Sequence, residues 1–310
     1  MKPLRQAVHD YLALRRSLGF KLRDAGIALS KFVAFLETRG ATHVTIALAL
    51  EWAQENHRAQ PAAWAQRLSY VRGFARQHAA SDAQTEIPPS GLLPFHPRRA
   101  RPYLYSDEEI EQLLECALSL TPIGGLRPWT YHCLLGLLSV AGLRIGEAIR
   151  LKFEDVDLQH ALLTIRGTKF GKSRIVPIHP STREVLAQYV TRREQFLAGR
   201  TSFTLFVTSR GTPLDMGDVH RTFYQLSRQI GLRGATASHG PRLHDFRHRF
   251  AVQTLLRWYR SGEDVERRLP VLSTYLGHVH VADTYWYLSA CPELMGLAVE
   301  RLEQRWEQRP

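Results

Sequence analysis

His244-Asp245-Phe246-Arg247 sets an imidazole and a guanidinium three residues apart, so a helix would carry both on one face. Such a pair can address one phosphate from two sides. The spacing alone says little, because His-x-x-Arg also occurs at His96 and His239. Only the third copy follows a loop and opens an amphipathic stretch. Gly142-Leu143-Arg144-Ile145-Gly146-Glu147 is a second candidate. Gly-Leu-Arg recurs at 125–127 and 231–233, but only at 142 does an acidic residue follow the arginine by three places. There a glycine would break a helix, Arg144 would emerge at the turn, and Glu147 would orient it or cap the next helix. The plainer reading is a helix–turn–helix corner with an exposed arginine.

Thr168-Lys169-Phe170-Gly171-Lys172 holds two of the chain's six lysines at the tip of an expected hairpin. A hairpin lysine is usually a solvated charge or an edge-blunting one. The alternative is a lysine that a mobile loop carries into the groove of a polyanion. Last come Leu276-Gly277-His278 and Asp283-Thr284-Tyr285-Trp286-Tyr287, with Tyr275, Tyr285 and Tyr287 as available phenols. Each feature taken singly is more often structural than catalytic.

The elements that must position these residues divide into two groups. The 310 residues suggest two domains. Residues 1–81 read as a small helical bundle. Val8, Tyr11, Leu12 and Leu18 recur at helical spacing up to Gly19, and Ile27 to Leu36 repeat the pattern up to Gly40. Shorter helices are expected at 46–56 and 61–78. Residues 82–102 contain five prolines and Arg98, Arg99 and Arg101, and read as a semi-rigid linker able to lie along a phosphate backbone. Residues 103–310 read as an α+β domain. Ser106 and Glu109 form a capping box. Helices are expected at 107–118, 129–141, 181–197, 215–230, 244–258, 264–276 and 292–307. A small antiparallel sheet would take its strands from 162–166, 174–178 and 203–208. The fold class is thus mainly α, with one small sheet.

Composition narrows the partner. Lys plus Arg total 41 against 29 acidic residues, a formal charge of +12. That is the footprint of a nucleic-acid or anionic-surface binder. No apolar run approaches the ~18 residues of a membrane span, and Met-Lys-Pro-Leu-Arg-Gln lacks the apolar stretch of a secretory leader. Three scattered cysteines suit reduced thiols in the cytoplasm. A cytoplasmic, nucleoid-associated protein without a membrane partner is the expectation.

Order is what raises these weak signals together. Arginine, lysine, His-x-x-Arg, Leu-Gly-His and tyrosine follow one another across the second domain, each in a suitable context. The set resembles the tyrosine recombinase (phage integrase) family. Tyr11-Leu-x-x-Arg-Arg-x-x-Gly-Phe20 is similar to that family's core-binding domain. The resemblance implies that Arg144 is the first phosphate-clamping arginine. It makes Lys169 the lysine that protonates the departing 5′ oxygen, with Lys172 as the alternative. It makes His244 and Arg247 the His-x-x-Arg pair and His278 the histidine after Leu-Gly. Tyr287, nine residues beyond His278, matches the nucleophile, and Thr284 fits the usual threonine three places before it. Tyr285 falls two residues short of that spacing, and Val279-His280-Val281 departs from the small polar residues common there. Arg15, Arg16, Lys21, Arg98, Arg99, Arg101 and Lys172 are the candidate DNA contacts.

These residue types suit strand cleavage. A free phenol titrates near pH 10, so only about one in a thousand is ionised at neutral pH. A nearby histidine can take its proton, and two fixed guanidiniums can hold the anionic transition state. A lysine can protonate the leaving alkoxide. No carboxylate cluster for a two-metal site and no phosphate-binding Gly-x-x-x-x-Gly-Lys-Ser/Thr loop occurs, so neither metal nor cofactor is expected. The resemblance implies double-stranded DNA as partner, and a homotetramer or a mixed tetramer with a co-encoded recombinase on paired sites. It also implies that the tail helix docks on a neighbouring protomer; packing on its own domain is the alternative. Thr284–Ser289 and Pro292–Met295 look most like transposon-encoded members. A type IB topoisomerase-like relaxing enzyme and an inactive DNA-binding factor are the competing readings.

Overall fold

Apolar spacing builds the first of two compact units, residues 1–100 and 101–310. The structure is a computed structural model that describes residues 3–93, 101–167 and 173–307. In the first unit α1 (Leu4–Ser17), α2 (Arg23–Thr38), α3 (Ile46–Gln54) and α4 (Pro61–His78) form the expected bundle. Leu4, Val8 and Leu12 fall on one face of α1, and Leu29, Phe32, Val33 and Leu36 on one face of α2. Phe32 meets Trp52 at 5.1 Å, and Tyr11 meets Phe74 edge-on. Thr45 caps α3 by accepting from Leu48 N, and Pro61 opens α4 where its missing N–H is harmless.

Residues 82–93 of the proline-rich stretch are fastened to this bundle. Glu86 N donates to Val44 O at 2.8 Å, and Ile46 N donates to the Glu86 carboxylate. Arg72 donates to Pro88 O and Pro89 O at 2.7 and 2.8 Å. Those prolines lack N–H groups to build a ladder, so their carbonyls are met by a guanidinium instead.

The second unit is organised around α6 (Leu126–Ala141), which is buried on nearly every side. Packed against it are α5 (Asp107–Leu118), α8 (Pro180–Leu197) and α10 (Leu243–Arg260). The capping box of Ser106 and Glu109 is present at the start of α5. Helix α6 begins three residues before the expected position, because Pro128 is tolerated in a first turn. Its end is fixed by Gly142 at φ 57, where a Cβ would meet the Phe250 ring at 2.5 Å. After that corner comes the one-turn α7 (Ile145–Ala148).

Three strands, β1 (Val156–Asp157), β2 (Leu162–Ile165) and β3 (Arg174–Pro177), pair antiparallel in that order, with Ile165 opposite Arg174. The stretch 203–208, expected as the third strand, stands outside this sheet and makes only isolated bridges from Thr204 and Val207. The buried Arg193 guanidinium occupies the carbonyls of Ser202, Thr204 and Leu205 at 2.7–2.9 Å. A strand ladder would have needed those acceptors. The unit closes with α9 (Met216–Gln229), α11 (Val265–Leu276), α12 (Ala282–Tyr285), a 3-10 turn at Trp286–Ala290 and α13 (Pro292–Glu307). Leu294 anchors α13 in the core, while Met295, Val299, Leu302 and Trp306 are exposed along it.

Candidate active site

The α6–α7 corner, the start of α10, the end of α11 and the 3-10 turn after α12 supply the site. Arg247 is at its centre and only 1% exposed. Its Nη1 donates to Gly142 O at 2.8 Å and its Nη2 to Leu276 O at 2.6 Å. One guanidinium therefore holds the ends of α6 and α11, each of which has spare carbonyls. Burial, and then the neighbouring Arg144 charge, push Arg247 down to about 10, so it stays cationic at neutral pH.

Arg144 is the N-cap residue of α7. Its Nη1 donates to Glu147 Oε1 at 2.9 Å, its backbone N to Glu147 Oε2 at 3.0 Å, and its Nη2 reaches Gly277 O at 3.4 Å. Glu147 thus orients Arg144, one of the two roles expected of it. Burial alone would raise the Glu147 carboxyl, but hydrogen bonds from Arg174 and Arg144 outweigh it and hold the group at about 2.

Two histidines complete the cluster. His244 stands in the first turn of α10; burial, then Arg247, lower its pKa. His278 follows Gly277, whose φ of 68 ends α11. Its Nδ1 lies 2.8 Å from Thr284 Oγ1, which leaves Nε2 for other chemistry. Burial, then Arg247 and Arg144, push His278 down to about 4, so its ring is neutral at pH 7.

The three candidate phenols separate clearly. Tyr287 is 3% exposed, and its ring lies near-parallel to His278, 6.0 Å away and tilted 18°. Tyr285 is 56% exposed. Tyr275 stacks on Phe250, and burial raises it to about 12. Of the sequence candidates, the structure thus brings together Arg144, His244, Arg247, His278 and Tyr287.

Lys169 and Lys172, between β2 and β3 in the chain, lie outside the described residues, and so do Arg98 and Arg99. Arg101 and Lys21 are exposed. Arg16 is exposed on α1, and the Arg15 guanidinium lies 3.9 Å over the Phe20 ring. Two participants were not singled out in the sequence. Arg174 binds Glu147 with both terminal nitrogens, and His248 packs between His244, Trp286 and Tyr287. For His248 the signal was available, since it follows His244 by four residues on the same face. Arg174 meets Glu147 across 27 positions, which no periodicity reveals. Among the described residues no group of His, Cys, Asp or Glu could hold a metal ion.

Residues 104–293 match the model of the phage integrase family. The chain belongs to the phage integrase family. It is 61% identical to y4rB of Sinorhizobium fredii, an inferred integrase/recombinase, over the full length of both chains. It is 31% identical to the tyrosine recombinase XerD of Mycobacterium tuberculosis, over 72% of this chain and 68% of that one. The fold is similar to that of the Tn1549 transposon integrase, with a TM-score of 0.69 at 15% identity, covering 98% and 99% of the two chains. As a phage integrase family member the protein is a site-specific recombinase, an enzyme that cuts and rejoins DNA strands.

Proposed function

We propose that Tyr287 is the nucleophile of this recombinase, acting on a phosphodiester held by Arg144 and Arg247. The observation that carries this reading is the convergence of two guanidiniums, two neutral imidazoles and one phenol from four separate segments. Tyr287 Oη attacks phosphorus, the bond from phosphorus to the 5′ oxygen breaks, and a 3′-phosphotyrosine forms. The phenolic proton passes to His278 Nε2. Part of the depression of that imidazole comes from the two arginines, and a bound phosphodiester cancels that part, so its basicity rises when substrate arrives. His244 donates to a non-bridging oxygen. Lys169 gives the proton that the departing 5′ oxygen takes up. The bond energy is kept in the phosphotyrosine, so religation needs no nucleotide cofactor.

In this reading the helical unit is a DNA-binding module, with Arg16, Lys21, Arg98 and Arg99 on phosphates, and Arg101 and Lys172 add phosphate contacts from the second unit. Arg15 supports it by packing on Phe20. The protein works in the cytoplasm on nucleoid DNA; its three cysteines are free thiols, and no described helix is long and apolar enough to cross a membrane. It assembles as a tetramer on paired sites, of one chain or with a co-encoded recombinase. The exposed apolar stripe of α13 and the DNA-bound tetramer of lambda integrase, a protein of like fold (18% identity, TM-score 0.61, covering 90% of this chain and 78% of that one), support this. The Tn1549 likeness favours integration and excision of a mobile element.

The test is trapping on a nicked duplex taken from the ends of the element that encodes the protein. A detergent-stable protein–DNA adduct that Tyr287→Phe abolishes and Tyr285→Phe keeps is expected. An adduct that survives Tyr287→Phe overturns the assignment.

A further inference from the structure

We propose that Arg174 is a positioning residue for cleavage, one that sets Arg144 and the His278 turn in register from the strand that follows the lysine-bearing hairpin. The proposal rests on the active-site reading above and adds a residue to it. Arg174 opens β3 and its side chain is almost fully covered. Nη1 donates to Glu147 Oε1 at 3.1 Å and Nη2 to Glu147 Oε2 at 2.9 Å, a bidentate pair. Nε donates to Tyr275 O at 2.7 Å. The same guanidinium lies against Gly277, where a Cβ would meet Nη1 at 2.9 Å. Glu147 in turn grips Arg144 through the guanidinium and the backbone N–H.

One side chain on β3 therefore joins two separate segments that carry the site. It ties β3 to the α6–α7 corner through Glu147, and β3 to the end of α11 through Tyr275 O and Gly277. A guanidinium suits this place because its planar fork can satisfy a carboxylate and a carbonyl at once, which an ammonium cannot. Gly277 is required from both directions, by its left-handed φ and by the arginine packed on its Cα. Glu147 carries a buried negative charge between two cations; without Arg174 it would hold Arg144 alone, and Arg144 could follow it out of place. Nothing in this arrangement needs Arg174 to touch the DNA.

Full-length Arg174→Ala and Arg174→Lys proteins test the idea, with a thermal melt as the check on folding. The ligand-free readout is the ¹⁵N NMR signal of the Arg144 guanidinium. It is expected to be restrained in the unaltered protein, released in Arg174→Ala and intermediate in Arg174→Lys. The second readout is adduct formation at saturating protein on the nicked element-end duplex. Arg174→Ala should slow it by about a hundredfold, the scale of a small misplacement of catalytic groups, while affinity for the duplex moves by less than about threefold. Arg174→Lys should recover part of the rate. Because the residue acts in part through Arg144, the losses in the Arg144→Ala, Arg174→Ala double variant should be clearly less than additive. An unchanged Arg144 signal, additive losses, or affinity falling in step with rate would overturn the proposal. If Arg174→Ala fails to fold, Arg174→Lys and Arg174→Gln carry the same comparison. If instead the Arg144 signal is released but Arg144→Ala cleaves normally, the active-site reading fails and the positioning contact stands.

Discussion

The two units bury different things. The first is closed by Phe32, Trp52, Phe74 and aliphatic neighbours, and Asp82 is its one buried charged residue among those described. The second buries Glu147, Asp155, Arg193, Arg233, Asp245 and Arg247 as well as a larger apolar core. Buried charge is costly and is kept only where each ion is paired or hydrogen-bonded. Its concentration in one unit separates a part that folds for shape from a part that folds around chemistry. Arg193 and Arg233 tie loop carbonyls, whereas Glu147 and Arg247 tie the segments that carry the candidate site.

The largest effect should come from Arg247→Ala. It removes both hydrogen bonds that hold the ends of α6 and α11 and abolishes adduct formation. It should also destabilise the second unit by about 1–3 kcal/mol for each of the two carbonyls left without a donor. Hydrogen exchange on the full chain checks this, and equal loss of protection in both units would erase the contrast. Next, Phe32→Ala should cost the first unit about 3–4 kcal/mol as a cavity mutation, and leave the cleavage rate of the DNA-bound protein unchanged. A rate that fell at saturating protein would give the first unit a part in the chemistry.

Acid should also separate the units. His248 is buried, and burial followed by the His244 charge puts it at about 4 against an ordinary 6.5. Its folded value is depressed, so the stability it contributes is present above pH 6.5 and lost as pH falls towards 4. The loss is roughly 3 kcal/mol for that group. Glu147, held at about 2, adds a second loss only below about pH 4.5. Exchange protection should therefore fall in the second unit first between pH 6.5 and 4; a first unit that loosens earlier contradicts this. The smallest effect belongs to the exposed Arg5–Glu37 pair on the first unit, where Arg5→Ala should leave the melting temperature unchanged within error.

Much of this contrast was legible in the chain. Periodicity located most of the long helices because they have one apolar face, and the Ser106 capping box was readable from two residues. Arg144, His244, Arg247, His278 and Tyr287 were readable through their order and local context. The strand at 203–208 misled, since an apolar run with β-branched residues looks the same whether its carbonyls meet a strand or the Arg193 guanidinium. Arg174 was invisible for a similar reason, as its partners Glu147, Tyr275 and Gly277 are set by tertiary packing.

The central claim is that the enzyme's covalent bond to DNA is made by Tyr287. The most direct measurement is mass spectrometry of the protein digested after trapping on the nicked duplex. A nucleotide remnant is expected on the Tyr287 phenol, within a peptide that also contains Tyr285, with fragmentation assigning it to Tyr287. A remnant on Tyr285, on Tyr275 or on any other residue would contradict it.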